Sequence, residues 1–369
     1  LFIIINNKIL ISKNFIINEE ESSLIVNPYN KMLNITIKNK TILIYEPNKY
    51  HHECLPGFTK YFIDLKYNVD ILLSLSKMDS FDWVNKNKKI RIFTFNQINQ
   101  IIEVSDNLYH IIKKYDFVLF QTTNKKEKEL YAKLGIFNLS NIIFVFHEIG
   151  FSDRSFSKYF HKKRIWTLGN ISSGLQVNPH FFGNITIRNK NYNTRFFLTS
   201  SIKRNYTFIL DSVKKLTNEN LKFEIIVTGR SYTFNSSYIP ISLKDKFIFK
   251  HRVSFSMLCK LVENSDFIII PFDPKSKYDN LFKKGRVTGS FQLAYGFLKP
   301  CLINKEFSEF YNFNNNNSII YSNSDLYSAM KKAILMNQND YKKLQNILKI
   351  NEKELYELSI NNIKKTILT

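Results

Sequence analysis

The chain is short of cysteine, of acidic residues and of long apolar runs, and each shortage excludes something. Its 369 residues hold three cysteines, Cys54, Cys259 and Cys301, far apart and with no Cys-x-x-Cys pair. Neither a disulfide framework nor a structural zinc site is expected from that set, and a reducing cytoplasm fits it best. The longest apolar runs, such as Phe267 to Pro271, have the length of a strand, and the opening Leu1 to Ile5 is too short for a signal-peptide core or a membrane span. No segment is expected to cross a bilayer. The chain begins with Leu rather than Met, which leaves room for it to be a piece of something larger.

Lys and Arg number 53 against 31 Asp and Glu, a net charge of +22. Clustered cations of that number would suggest nucleic acid, since they neutralise phosphates and release counterions. Here the lysines are spread over nearly every segment, so no specific nucleic-acid partner is expected. A basic surface favours sugar diphosphates or an acidic membrane leaflet, and peripheral contact with an anionic membrane is the corresponding expectation. With 44% apolar and 23% charged residues, the composition is that of a globular protein, and the length suits two domains.

From about Lys40 onward, short β-branched or aromatic runs alternate with amphipathic stretches, the pattern of parallel strands joined by crossover helices. The reading is α/β, with two Rossmann-like doubly wound domains facing a cleft. The first half offers strands at Thr41 to Tyr45, Val69 to Leu73, Ile90 to Phe95, Phe117 to Phe120 and Ile142 to Phe146. The second offers Arg195 to Thr199, Phe223 to Val227, Phe247 to Lys250, Phe267 to Pro271, Cys301 to Asn304 and Ser318 to Tyr321. Phe151 to Arg164 lacks a clear period, and Ile165 to Gly169 is taken to open the second count. The expected division is a short β-rich extension over 1–39 without a crossover helix, a domain over 40–160, a second over 161–345, and a C-terminal helix over 346–369.

In open α/β sheets ligands bind beyond the carboxyl ends of strands. Three such loops stand out in the second domain. Ser201, Lys203 and Arg204 follow its first strand, Gly229 and Arg230 follow the next, and Thr288, Gly289 and Ser290 open a helix. Hydroxyls, glycines and cations in those places suit a diphosphate; singly, each loop reads equally well as an ordinary polar connection, with Ser290 as a plain N-cap.

The run from Phe247 through Ser254 and Ser265-Asp266 to Pro271, then Gly289 to Gly296 followed by Lys299-Pro300, resembles the C-terminal domain of retaining glycosyltransferases with the GT-B fold. The resemblance covers roughly Lys40 to Lys332, more loosely in the first half. It implies transfer of a sugar from a nucleotide-diphosphate donor to a glycan, lipid-linked or protein acceptor, without cofactor or metal. It also implies that Arg204 meets the diphosphate and that Thr288, Gly289 and Ser290 supply helix-start donors. The family's Glu-x7-Glu signature is absent, and His251 replaces its usual glycine, so the branch is divergent. A catalytically inactive scaffold binding a glycan or a protein is the alternative, because a fold does not fix an activity.

The first domain is expected to hold the acceptor. His51, His52 and Glu53 follow its first strand and are the acid–base candidates, with polar loop residues free of chemistry as the other reading. Adjacent side chains alternate in direction, which makes joint metal ligation awkward. His147 and Glu148 end the last strand of that domain and are placed in the cleft, with Glu148 paired to a cation such as Arg154 and fastening the domains as the other reading.

Overall fold

The computed structural model describes residues 2–5, 8–11, 28–38, 40–47, 51–74, 87–95, 107–122, 129, 131–147, 164–169, 174–183, 185–200, 204–229, 234–322 and 325–368. Strands β1 (Phe2–Ile5) and β2 (Lys8–Ile11) form an antiparallel pair. The extension is not wholly β, however. Pro28 opens helix α1 (Pro28–Asn34), as suits a residue whose missing N–H costs nothing in the first turn, and buried Met32 joins the core of the first lobe.

The first lobe is built on β3 (Thr41–Glu46), β4 (Asn68–Ser74), β5 (Ile90–Phe95), β6 (Phe117–Phe120) and β7 (Ile142–Phe146), with helices α2 (Leu55–Asp64) and α3 (Asn107–Ile112). The sheet does not stop at β7. Two further strands, β8 (Ile165–Thr167) and β9 (Leu175–Gln176), extend it to the order β5-β4-β3-β6-β7-β8-β9. All its pairs are parallel. Ile165 to Gly169 therefore closes the first lobe rather than opening the second, and the lobes part between Gln176 and Thr194. Trp166 fixes this placement, since its fully buried ring packs on Phe58 and Phe62 of α2.

The second lobe comprises β10 (Thr194–Thr199), β11 (Phe223–Gly229), β12 (Phe247–His251), β13 (Phe267–Ile270), β14 (Cys301–Asn304) and β15 (Ile319–Tyr321). Their order is β12-β11-β10-β13-β14-β15. Around them lie α4 (Thr207–Asn218), α5 (Phe255–Glu263), α6 (Gly289–Phe297), α7 (Lys305–Ser308) and α8 (Leu326–Leu335). Strands such as Phe267–Ile270 are buried along their whole length because helices cover both faces of a parallel sheet.

Helix α9 (Gln338–Ile367) runs over both lobes. Its buried residues recur every seventh position as Tyr341, Leu348, Leu355 and Asn362, and again as Gln345, Glu352, Ser359 and Thr366. The polar members bond to irregular backbone and side chains. Gln345 Oε1 accepts from Arg188 N at 3.1 Å and Ser359 Oγ from Asn178 N at 2.9 Å, while Trp166 Nε1 donates to Thr366 Oγ1 at 2.9 Å. The first part of the helix thus holds the second lobe and the last part the first.

Candidate active site between the lobes

In each sheet the connections change side at one point, between β3 and β6 in the first lobe and between β10 and β13 in the second. Ligands collect beyond the carboxyl ends of strands at such a point. Here the two points face one another across a cavity of about 190 Å³. His51, Glu53 and His147 line one side, and Thr199, Arg204 and residues 286–289 the other.

On the first wall, His51 has a left-handed φ of 64°. Its carbonyl is held by Cys54 N at 3.1 Å and Gln121 Nε2 at 2.5 Å. Its Nδ1 lies 3.6 Å from Glu53 Oε1, and its ring is 4.1 Å from that of His147, centre to centre. His147 Nε2 sits 2.9 Å from the carbonyl of Gln121; a carbonyl only accepts, so that nitrogen carries the proton. Burial first and His51 second push the His147 pKa down to about 3. His147 is therefore a neutral ring that backs His51.

On the second wall, Arg204 stands ahead of α4, which begins at Thr207. Its side chain is 5% exposed, with Nε 3.9 Å from Asp279 Oδ1. Nη1 reaches the Thr199 carbonyl at 3.5 Å, and the guanidinium lies 5.0 Å from the centre of the Phe272 ring. Among the described residues neither Arg204 Nε nor Asp279 Oδ1 has a hydrogen-bond partner. Burial lowers the Arg204 pKa and raises that of Asp279, so each charge is poorly compensated. A cation held this way has bonding capacity left for an anion.

Arg286 lies over the rings of Tyr278 and Phe282, at 4.9 and 5.5 Å from their centres, and its carbonyl accepts from Tyr311. Next in the chain, Thr288 caps α6 without a side-chain hydrogen bond. Of the first-turn amides, Phe291 N donates to the Thr288 carbonyl at 3.0 Å, while the Thr288 side chain takes up none. A Cβ built on Gly289 would meet nothing within 4 Å, so the helix start opens on the cavity. Helix termini with free amides attract anions.

The structure thus brings His51, Glu53, His147, Arg204, Thr288 and Gly289 together. It does not bring in Ser290, which is buried at the second position of α6 with Thr288 as the cap in its place. Nor does it bring in Gly229: its φ of 122° and the approach of Ser200 show a glycine needed for loop packing. Ser201, Lys203, Arg230 and Glu148 lie outside the described residues, and of His52 only the backbone, in the single turn His52–Cys54, is described. Sequence reasoning missed Arg286 and Tyr278. The signal for Arg286 was present, a cation just before a glycine that starts a helix. Among the described residues no group of three or more His, Cys, Asp or Glu is placed to hold a metal ion, and no helix is long and apolar enough to cross a membrane.

No family model matches the sequence, and no curated protein does. Solved structures do match. TarM superposes with a TM-score of 0.57 at 9% identity over 90% of this chain and 100% of its own. HepE of Anabaena, solved with UDP and glucose, gives 0.56 at 11% identity over 89% and 100%. The spinosyn forosaminyltransferase SpnP gives 0.52 at 12% identity over 90% and 100%. These likenesses span both lobes, and together with the two facing parallel sheets they establish that the chain has the GT-B fold.

Proposed function

We propose that this protein is a glycosyltransferase that moves a sugar from a nucleoside-diphosphate donor to a glycan, lipid-linked or protein acceptor, without a metal ion and with retention at the sugar carbon. The supporting observation is one interlobe cavity that joins Arg204, Arg286 and the open start of α6 to His51 and Glu53. Breaking the bond between a sugar and a diphosphate leaves negative charge on the diphosphate. Groups already fixed around that place stabilise the transition state without reorganising. Arg204 is fixed by burial and Arg286 by its two aromatic rings. Across the cavity, His51 and Glu53 bind and orient the acceptor hydroxyl, whose proton passes to the departing diphosphate on the same face of the sugar, as retention in a single step requires. The presence of UDP and glucose in HepE supports this ligand class. The basic surface, with its charge of +22, suits work against an anionic membrane at its cytoplasmic side.

The test is a melting-temperature screen of nucleoside diphosphates, because a ligand held only by the native state stabilises it, by about 2.7 kcal/mol at 100 times its Kd. One diphosphate is expected to stabilise the protein, and the Arg204→Met/Arg286→Met double variant to lose the effect. No stabilisation by any of them, or stabilisation that survives the double substitution, overturns the reading.

A further inference from the structure

A second cavity, of about 220 Å³, lies between the lobes and shares Val287 with the first. Its chemistry is different. Among the described residues its walls carry no Lys, Arg or His, and Glu309 is the one carboxylate, in a chain of net charge +22. An anion would gain nothing there that it could not gain anywhere else on the surface. What the walls offer is amides and aromatic rings. Gln176 ends β9 and Asn178 lies in the segment that joins the lobes, while Phe310 and Asn312 come from the turn after α7. Phe310 keeps 47% of its surface exposed, unusual for a residue beside a closed core. Asn178 Oδ1 accepts a hydrogen bond from His180 Nδ1 at 3.1 Å, which leaves its NH2 as the group available to a ligand. The wall between the cavities is closed by the Tyr311 hydroxyl, whose single proton lies within reach of the carbonyls of Phe282 and Arg286.

A ring face beside uncharged donors and acceptors suits a ligand with an apolar face and a hydroxyl-bearing rim. We infer that this second cavity binds an uncharged sugar unit of the acceptor, seated on Phe310 and held by Gln176, Asn178 and Asn312. The inference rests on the proposed transfer reaction and names its acceptor as a glycan.

Saturation-transfer NMR on the whole protein tests it, with methyl glucoside, galactoside and mannoside as neutral probes and glucose 6-phosphate as the charged one. Nucleoside diphosphate binding is measured in parallel by melting temperature. At least one neutral glycoside is expected to bind, and Phe310→Ala to weaken it about tenfold while leaving the diphosphate response and the melting temperature of the free protein in place. Silence from all three glycosides, binding that Phe310→Ala does not change, or a preference for the charged sugar overturns the inference. Loss of the diphosphate response in the unsubstituted protein would instead count against the transfer reaction itself.

Discussion

Gly289→Ala separates the needs of the fold from those of the site. Gly289 is the first residue of α6, and an added methyl group has no neighbour within 4 Å. Its φ is not in the left-handed region that favours glycine. The fold therefore has no use for glycine here, and alanine restricts the unfolded chain, so the variant is expected to gain about 0.5 kcal/mol of stability. The ligand has the opposite interest. The methyl group would stand in the cavity beside the amides that the phosphates approach, and the expected cost is at least about 1.4 kcal/mol, a tenfold loss of affinity. Urea unfolding gives the first quantity and calorimetric titration with the stabilising nucleoside diphosphate the second. Unchanged affinity in a variant of equal or higher stability would refute the placement of the anion at this helix start.

Three further outcomes are expected. Asp279→Asn removes the carboxylate 3.9 Å from Arg204 Nε, an attraction worth about 4 kcal/mol at an effective dielectric constant of about 20; the free protein should melt lower, and its gain on adding nucleoside diphosphate should be larger than in the parent, by calorimetry. Glu352 on α9 is raised by burial from 4.5 to about 7, against Lys60 and Lys349. Its neutral form is the one that suits the fold, so stability should fall by about 3 kcal/mol as pH rises from 4.5 to 7, and urea titrations of Glu352→Gln should show that slope flattened. Gly57→Ala would bring a Cβ to 2.2 Å from the Pro179 carbonyl oxygen, a backbone clash that should cost about 3 kcal/mol or more in urea unfolding.

Most strands were legible because strands covered on both faces appear as short unbroken apolar runs, as at Ile142–Phe146 and Phe267–Ile270. The loops after β3 and β10 followed from those strands, which is why His51 and Arg204 could be named. Strands β8 and β9 have three and two residues, too few for any period, so their sheet depended on tertiary contacts such as the seat of Trp166. Arg204 and Asp279 meet although 75 positions apart in sequence, and nothing local links them. The buried face of α9 was hidden for a different reason. Gln345, Ser359 and Asn362 look like surface residues but are buried, each paired with a main-chain group, and hydrophobic periodicity is blind to such a stripe.

The long helix over both lobes limits how the cleft can open. Thirty residues of α-helix make a rod of about 45 Å, attached to the second lobe near Tyr341 and to the first near Thr366. A rod resists stretching and bends only slightly. A rod attached at both ends in this way favours rocking of one lobe around its long axis over separation of the two lobes along it.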